Sequence, residues 1–99
     1  MSKSDPYDFD PVLLSRARLA ILSALVTLRE AEFMDLKDTL GLTQGNLSIH
    51  GGKLEQAGYI SVRKEFVDRK PRTTFCITAE GRRALVDHVK RLQNVIKDE

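Results

Sequence analysis

The amino-acid sequence predicts a mainly helical α+β domain, with a small β-hairpin set between helices. Three observations carry this prediction. Apolar residues recur at helical spacing through residues 10–57 and again through 79–96, and between 60 and 77 the period drops to two. Residues 40–60 (Leu-Gly-Leu-Thr-Gln-Gly-Asn-Leu-Ser-Ile-His-Gly-Gly-Lys-Leu-Glu-Gln-Ala-Gly-Tyr-Ile) read as a helix end, a tight turn, a second helix and entry into a strand. Two helices joined by so short a turn form a helix-turn-helix.

Residues 1–9 have no period and are expected to be a flexible N-terminal segment, with Phe9 a candidate for docking. Asp10-Pro11 is a helix start, an Asp cap followed by proline at the first helical position. Leu14, Ala17, Ile21, Leu25 and Leu28 then form one apolar stripe, and Leu19, Leu22 and Val26 lie off it. A helix apolar over so much of its circumference has little protein to cover both faces in a small domain. The second face is therefore expected to meet another subunit. Phe33, Leu36 and Leu40 mark a second helix, weakly capped because Ala31 and Glu32 are poor caps.

Gly41 sits where a helix ending at Leu40 wants a left-handed residue. Thr43 then caps a third helix over about Gln44 to Ala57, its hydroxyl accepting the N–H of Gly45 or Asn46. Leu47 and Leu54 share its buried face, and Gly58 supplies its stop. Ile60, Val62 and Phe66 alternate with Ser61, Arg63 and Glu65 as a half-buried strand, and Thr73, Phe75 and Ile77 form the returning one. Val67-Asp68-Arg69-Lys70-Pro71 reads as the basic turn between them. Thr78 caps a last helix in which Leu85, Val89, Leu92 and Ile96 form a narrow coiled-coil seam. From Ala79 to Ile96 it is about 27 Å long at 1.5 Å per residue. That length overhangs the domain, so its distal half is expected to pack on a partner.

Ninety-nine residues allow one domain with a modest core. At 41% apolar residues the chain is not disordered, and no apolar run approaches a membrane span. One cysteine excludes an internal disulfide and a thiolate-cage zinc site, and fits a reducing cytoplasm. No signal-peptide pattern is present at the N-terminus. The formal charge of +2 is unevenly spread. Residues 43–72 hold Lys53, Arg63, Lys64, Arg69, Lys70 and Arg72 against Glu55, Glu65 and Asp68, a net +3, so the positive excess accompanies the helix-turn-helix and the hairpin. That is where an electrostatic footprint for nucleic acid is needed.

Helix, helix-turn-helix, hairpin, helix is the winged helix-turn-helix order. Arg18-Leu-Ala-Ile-Leu22, Leu42-Thr-Gln-Gly-Asn-Leu-Ser48, Lys53-Leu-Glu-Gln-Ala-Gly-Tyr-Ile60, Arg69-Lys-Pro-Arg-Thr-Thr-Phe75 and Thr78-Ala-Glu-Gly-Arg82 also resemble motifs of a known family. It comprises small stand-alone winged-helix regulators of bacteria and archaea, related to the multiple-antibiotic-resistance (MarR) type. The resemblance covers residues 10–96 and implies a dimeric transcriptional regulator on double-stranded DNA, with the third helix in the major groove and the wing on the backbone. On this reading residues 10–78 are the DNA-binding winged helix and 79–99 the dimerisation helix of the same single domain. Gly51 and Gly52 depart from the family's pattern, which has Ala or Leu at the first position and a larger, often basic residue at the second. Two interior glycines cost a helix roughly 1 kcal/mol each relative to Ala.

The candidate DNA-binding residues are Thr43, Gln44, Asn46, Ser48, Ile49 and Lys53 on the third helix, with Arg69, Lys70 and Arg72 at the wing. Amides suit adenine edges and the Ile methyls suit the thymine methyl. Asn46 reads equally well as completing the helix cap. The wing cations need only charge and reach to meet phosphate or the minor groove, and they also blunt a sheet edge against aggregation. Arg16 and Arg18 are open between backbone contact and ion pairing. The candidate dimerisation residues are Leu19, Leu22, Val26, Leu85, Val89, Leu92 and Ile96.

His50 reads as a packed, hydrogen-bonded side chain, and His88, near the seam, as a group that tunes dimerisation with pH. Neither has a second ligand at metal spacing, so no metal and no cofactor is expected. Cys76 is expected to be an inert thiol, a redox role requiring a lowered pKa. The expected function is a homodimeric repressor reading a pseudo-palindromic operator. A small-molecule effector is compatible with this, but no residue specifies one. The alternative is a winged helix used for protein–protein assembly, the smooth Gly51-Gly52 patch being its support. An enzyme is not expected, because no nucleophile–base pair, paired carboxylate or phosphate-cradling loop is present.

Overall fold

The computed structural model describes residues 7–97. Residues 1–6 of the expected N-terminal segment, and 98–99 after the last helix, lie outside the described residues. Asp10 caps a first turn, its Oδ1 accepting the Val12 N–H at 3.0 Å, and Pro11 occupies the first position. The turn is only a 3₁₀ turn, Pro11–Leu13, and this corrects the expected continuous helix. Ser15 is extended and caps a separate helix, α1 (Arg16–Leu28), its hydroxyl accepting the Arg18 N–H at 3.2 Å. A serine whose side chain satisfies an orphan donor starts a helix more readily than it continues one. As a result Leu14, placed on the stripe by spacing alone, lies outside the helix and is 64% exposed, while Leu28, the last residue of α1, is 55% exposed.

Leu22 requires a second correction. It is fully buried in a core with Leu13, Ile21, Leu25, Leu36, Leu47, Leu54, Ile60 and Phe75, so it has no surface left for another subunit. The domain covers the broad apolar face of α1 from several sides with its own helices and sheet. Leu19 is half-buried against that core, and Val26 is half-buried.

Glu30–Glu32 form a short strand, β1, that no apolar alternation announces. Helix α2 (Phe33–Leu40) follows, with Glu32 at its cap making no side-chain bond, and Gly41 ends it in the left-handed region at φ 66°. Helix α3 (Gln44–Gln56) begins on the Thr43 hydroxyl, which accepts the Asn46 N–H at 3.1 Å. It stops one residue before the expected end, with Ala57 as its cap. Strands β2 (Ile60–Val67) and β3 (Lys70–Ile77) complete an antiparallel sheet of order β1-β3-β2. Their connection is two residues, Asp68 and Arg69, both at positive φ, rather than the five expected. Pro71 lies within β3 opposite Phe66, beyond the end of β1, where the strand has a neighbour on one side only.

Phe66 was expected to bury alongside Ile60 and Val62, and it is 78% exposed. Its phase in the strand is inward, but the groove against α3 is lined only as far as Lys64 and Thr73. Helix α4 (Ala79–Lys97) starts at Thr78, whose hydroxyl accepts the Gly81 N–H at 3.0 Å and donates to Gly58 O at 2.7 Å. One side chain thus ties the start of α4 to the exit of α3. Leu85 packs on the core, whereas Val89 and Leu92 are each 44% exposed and Ile96 is 71% exposed. His88 is only 5% exposed and meets the ring of Phe9 edge-on at 5.5 Å, so it is packed inside the chain instead of lying on the seam.

Candidate nucleic-acid interface

Helix α3 is held by one face. Leu47 and Leu54 are fully buried, and Gly51 lies between them against the ring of Phe75. His50 flanks this face, with Nδ1 3.2 Å from an Arg18 guanidinium nitrogen. Arg18 also donates from Nε to Val12 O at 2.6 Å, so it braces α3 through α1 and the 3₁₀ turn. Of the two first-helix arginines left open by the sequence, Arg18 is a brace.

Thr43, Gln44, Asn46, Ser48, Ile49 and Lys53 are all exposed, but they do not form one surface. At 100° per residue their directions spread around most of the exposed half of the helix. Gln44 and Ser48 turn toward the hairpin, where with Gly52, Glu55, Lys64 and Thr73 they line a groove of about 480 Å³ whose base includes Phe33 and Phe75. Lys53 faces the other way, into a shallow groove with Pro11, Val12, Arg18 and Gln56. The central line between them is Gly45, Ile49 and Gly52, small and apolar, with Ile49 60% exposed.

Alternation divides the hairpin into two faces. Val62, Lys64, Phe75 and Thr73 share the face toward α3, as the register pairs Val62 with Phe75 and Lys64 with Thr73. Arg63, Glu65, Arg72, Thr74 and Cys76 share the opposite face, where β1 adds Glu30 and Glu32. Lys64 and Thr73 are thus brought to the groove although neither was singled out from sequence. The signal was there: Lys64 occupies the inward phase between Val62 and Phe66.

The far face is a lattice of ion pairs. Arg63 meets Glu30 at 2.8 Å and Glu65 at 3.5 Å, and Arg72 meets Glu32 at 3.6 Å. The hydrogen bond to Glu30 raises the pKa of Arg63 further above its ordinary value. Adding Glu30 and Glu32 to residues 43–72 reduces the local excess from +3 to +1. The cations outside these pairs are Lys53 and Lys64 beside α3 and Arg69 and Lys70 at the hairpin tip. Among the described residues none of these four makes an ion pair within 4 Å. Arg72 stands apart from its predicted companions because its charge already has an acidic neighbour.

Cys76 is half-buried on the far face, its Sγ accepting a hydrogen bond from Arg63 at 3.7 Å. No group of three or more His, Cys, Asp or Glu among the described residues is placed to hold a metal ion. No helix among them is long and apolar enough to cross a membrane. An exposed helix face, a groove and a basic hairpin tip can together read a polyanion of regular shape.

The profile of the winged helix DNA-binding domain family matches residues 17–96. An uncharacterized protein of Methanocaldococcus jannaschii is 34% identical over 84 residues, which is 85% of this chain and 91% of that protein. A solved transcriptional regulator homologue from Pyrococcus horikoshii OT3 superposes with a TM-score of 0.82 at 34% identity, covering 88% of this chain and 86% of that one. A MarR-family transcriptional regulator from Rhodococcus sp. RHA1 shares the fold, with a TM-score of 0.66 at 22% identity over 85% of this chain and 59% of the other.

Proposed function

Because the chain belongs to the winged helix DNA-binding domain family, we propose that it is a sequence-specific regulator of transcription that binds double-stranded DNA as a homodimer. The observation that carries this reading is the placement of exposed α3 beside a hairpin whose tip cations, Arg69 and Lys70, are not paired with acidic groups. Helix α3 enters the major groove with Gln44, Ser48 and Ile49 facing the bases, while Thr43, Lys53 and Lys64 meet the phosphates that border it. Asn46 reaches a base edge or the backbone from the other flank of α3. Arg69 and Lys70 reach the backbone or the adjacent minor groove.

The dimer is built on the distal half of α4. Val89, Leu92 and Ile96 recur at heptad-like spacing on its exposed part, and Leu85 anchors the helix to the core. Two α3 helices held about 34 Å apart then face successive major grooves, which makes the operator a pseudo-palindrome. Bound across such an operator, the dimer represses by steric block.

The test is a titration of the protein into pools of random and genomic duplexes at several salt concentrations, repeated for Arg69→Glu/Lys70→Glu. The expected outcome is enrichment of a palindrome and a steep salt dependence, about −0.9 in log–log slope per phosphate neutralised. The double variant loses both affinity and slope. Absence of binding at low salt by a folded protein would leave the family's fold serving a protein partner, and the neutral line Gly45–Ile49–Gly52 would be the surface to search.

A further inference from the structure

We propose that Phe66 is a minor-groove contact, an apolar side chain carried at the tip of the wing into the DNA between two cations. This rests on the DNA-binding reading above and adds a residue that charge and motif did not select. At 78% exposure Phe66 is the most exposed large apolar side chain among the described residues. An aromatic ring left in water forgoes the burial that ordinarily places it inside. Its cross-strand partner is Pro71, so the tip presents a small apolar patch rather than one stray ring. The patch belongs to the sheet face that also carries Lys64 and Thr73 against α3. It is therefore turned to the side on which the exposed residues of α3 stand.

The tip has the shape and charge for this occupant. Its connection is only two residues, so the tip is just two strands wide, and the side chains at its end, not its backbone, are what a narrow groove would admit. The minor groove is about 6 Å wide, with apolar sugar walls bounded by phosphates. Along the hairpin the patch lies between Lys64, the next residue of the same face, and Arg69 in the turn, and these cations match those phosphates. A second copy of the chain seated on the same patch would have to bring these cations against their own counterparts, which interface centres avoid.

The experiment compares wild type, Phe66→Ser and Phe66→Leu on the duplex that wild type selects. Because Phe66 carries no charge, Phe66→Ser is expected to lose about tenfold in affinity with an unchanged salt slope. Phe66→Leu keeps affinity within about threefold, since the leucine remains apolar. Filling the minor groove of the duplex with a netropsin-type ligand removes the difference between wild type and Phe66→Ser. A wild type that binds no duplex overturns the DNA-binding reading itself. A Phe66→Ser protein that binds as wild type does, or a difference that persists with the minor groove filled, overturns only the role of Phe66. So does a shift of the dimer toward monomer in Phe66→Ser without DNA, measured by sedimentation, because the ring would then belong to a subunit contact.

Discussion

The ring of Phe75 occupies the space that a side chain at position 51 would need. A β-carbon built on Gly51 would lie 2.5 Å from the Phe75 Cζ and 2.7 Å from its Cε2. The glycine that weakens α3 locally is what lets the sheet close on it. Gly51→Ala is expected to destabilise the fold by about 1–2 kcal/mol, because overpacking beside a buried ring outweighs the gain in helix propensity. A β-carbon at Gly52 would meet nothing within 4 Å, so Gly52→Ala is expected to stabilise by about 0.5–1 kcal/mol. Urea unfolding of the two variants checks both signs.

The two faces of the wing are expected to respond differently to loss of charge. Lys64→Ala, on the face toward α3, reduces the magnitude of the log–log salt slope of DNA binding by about 0.9. Arg63→Ala leaves the slope unchanged, since its guanidinium is held 2.8 Å from Glu30 on the far face. Equal losses of slope would show that alternation does not decide which wing cations reach DNA.

Tyr59 donates its phenolic hydrogen to Asp10 Oδ2, bridging the start of β2 to the cap of the first turn. Burial first, and then the hydrogen bond and charge of Asp10, raise its pKa to about 12. A phenol whose pKa is raised by folding adds stability below its unfolded value near 10, and that stability is lost as pH rises through the folded value. The thermal midpoint is thus expected to fall between pH 10 and 12, and Tyr59→Phe to flatten this dependence. At neutral pH the same variant loses about 1 kcal/mol, a modest figure because the site is partly solvated.

Core and seam are separable. Leu22→Ala is expected to cost about 2–5 kcal/mol of folding stability. Leu92→Glu/Ile96→Glu changes exposed positions and leaves the monomer's stability near wild type, while sedimentation shifts from dimer to monomer. If the paired glutamates leave the mass unchanged, the subunit contact lies elsewhere.

Much of the chain was legible without coordinates because its signals are local. Gly41, Thr43 and Thr78 mark helix ends through their own backbone and hydroxyls, and the change of period at Ile60 marks the sheet. The order of the four α-helices and the hairpin, the buried pair Leu47 and Leu54, and the exposure of the α3 candidates follow from such spacing. Tertiary structure decided what depends on residues distant in the chain. Leu22 is core because other elements of the same chain cover it, and Leu14 is surface because Ser15 interrupts the helix. Strand β1 exists only because β3 offers it an edge, and through it Glu30 and Glu32 neutralise part of the wing's charge. Phe66 has the inward phase of a core residue, but burial requires a neighbour, and at the tip of the hairpin the chain supplies none.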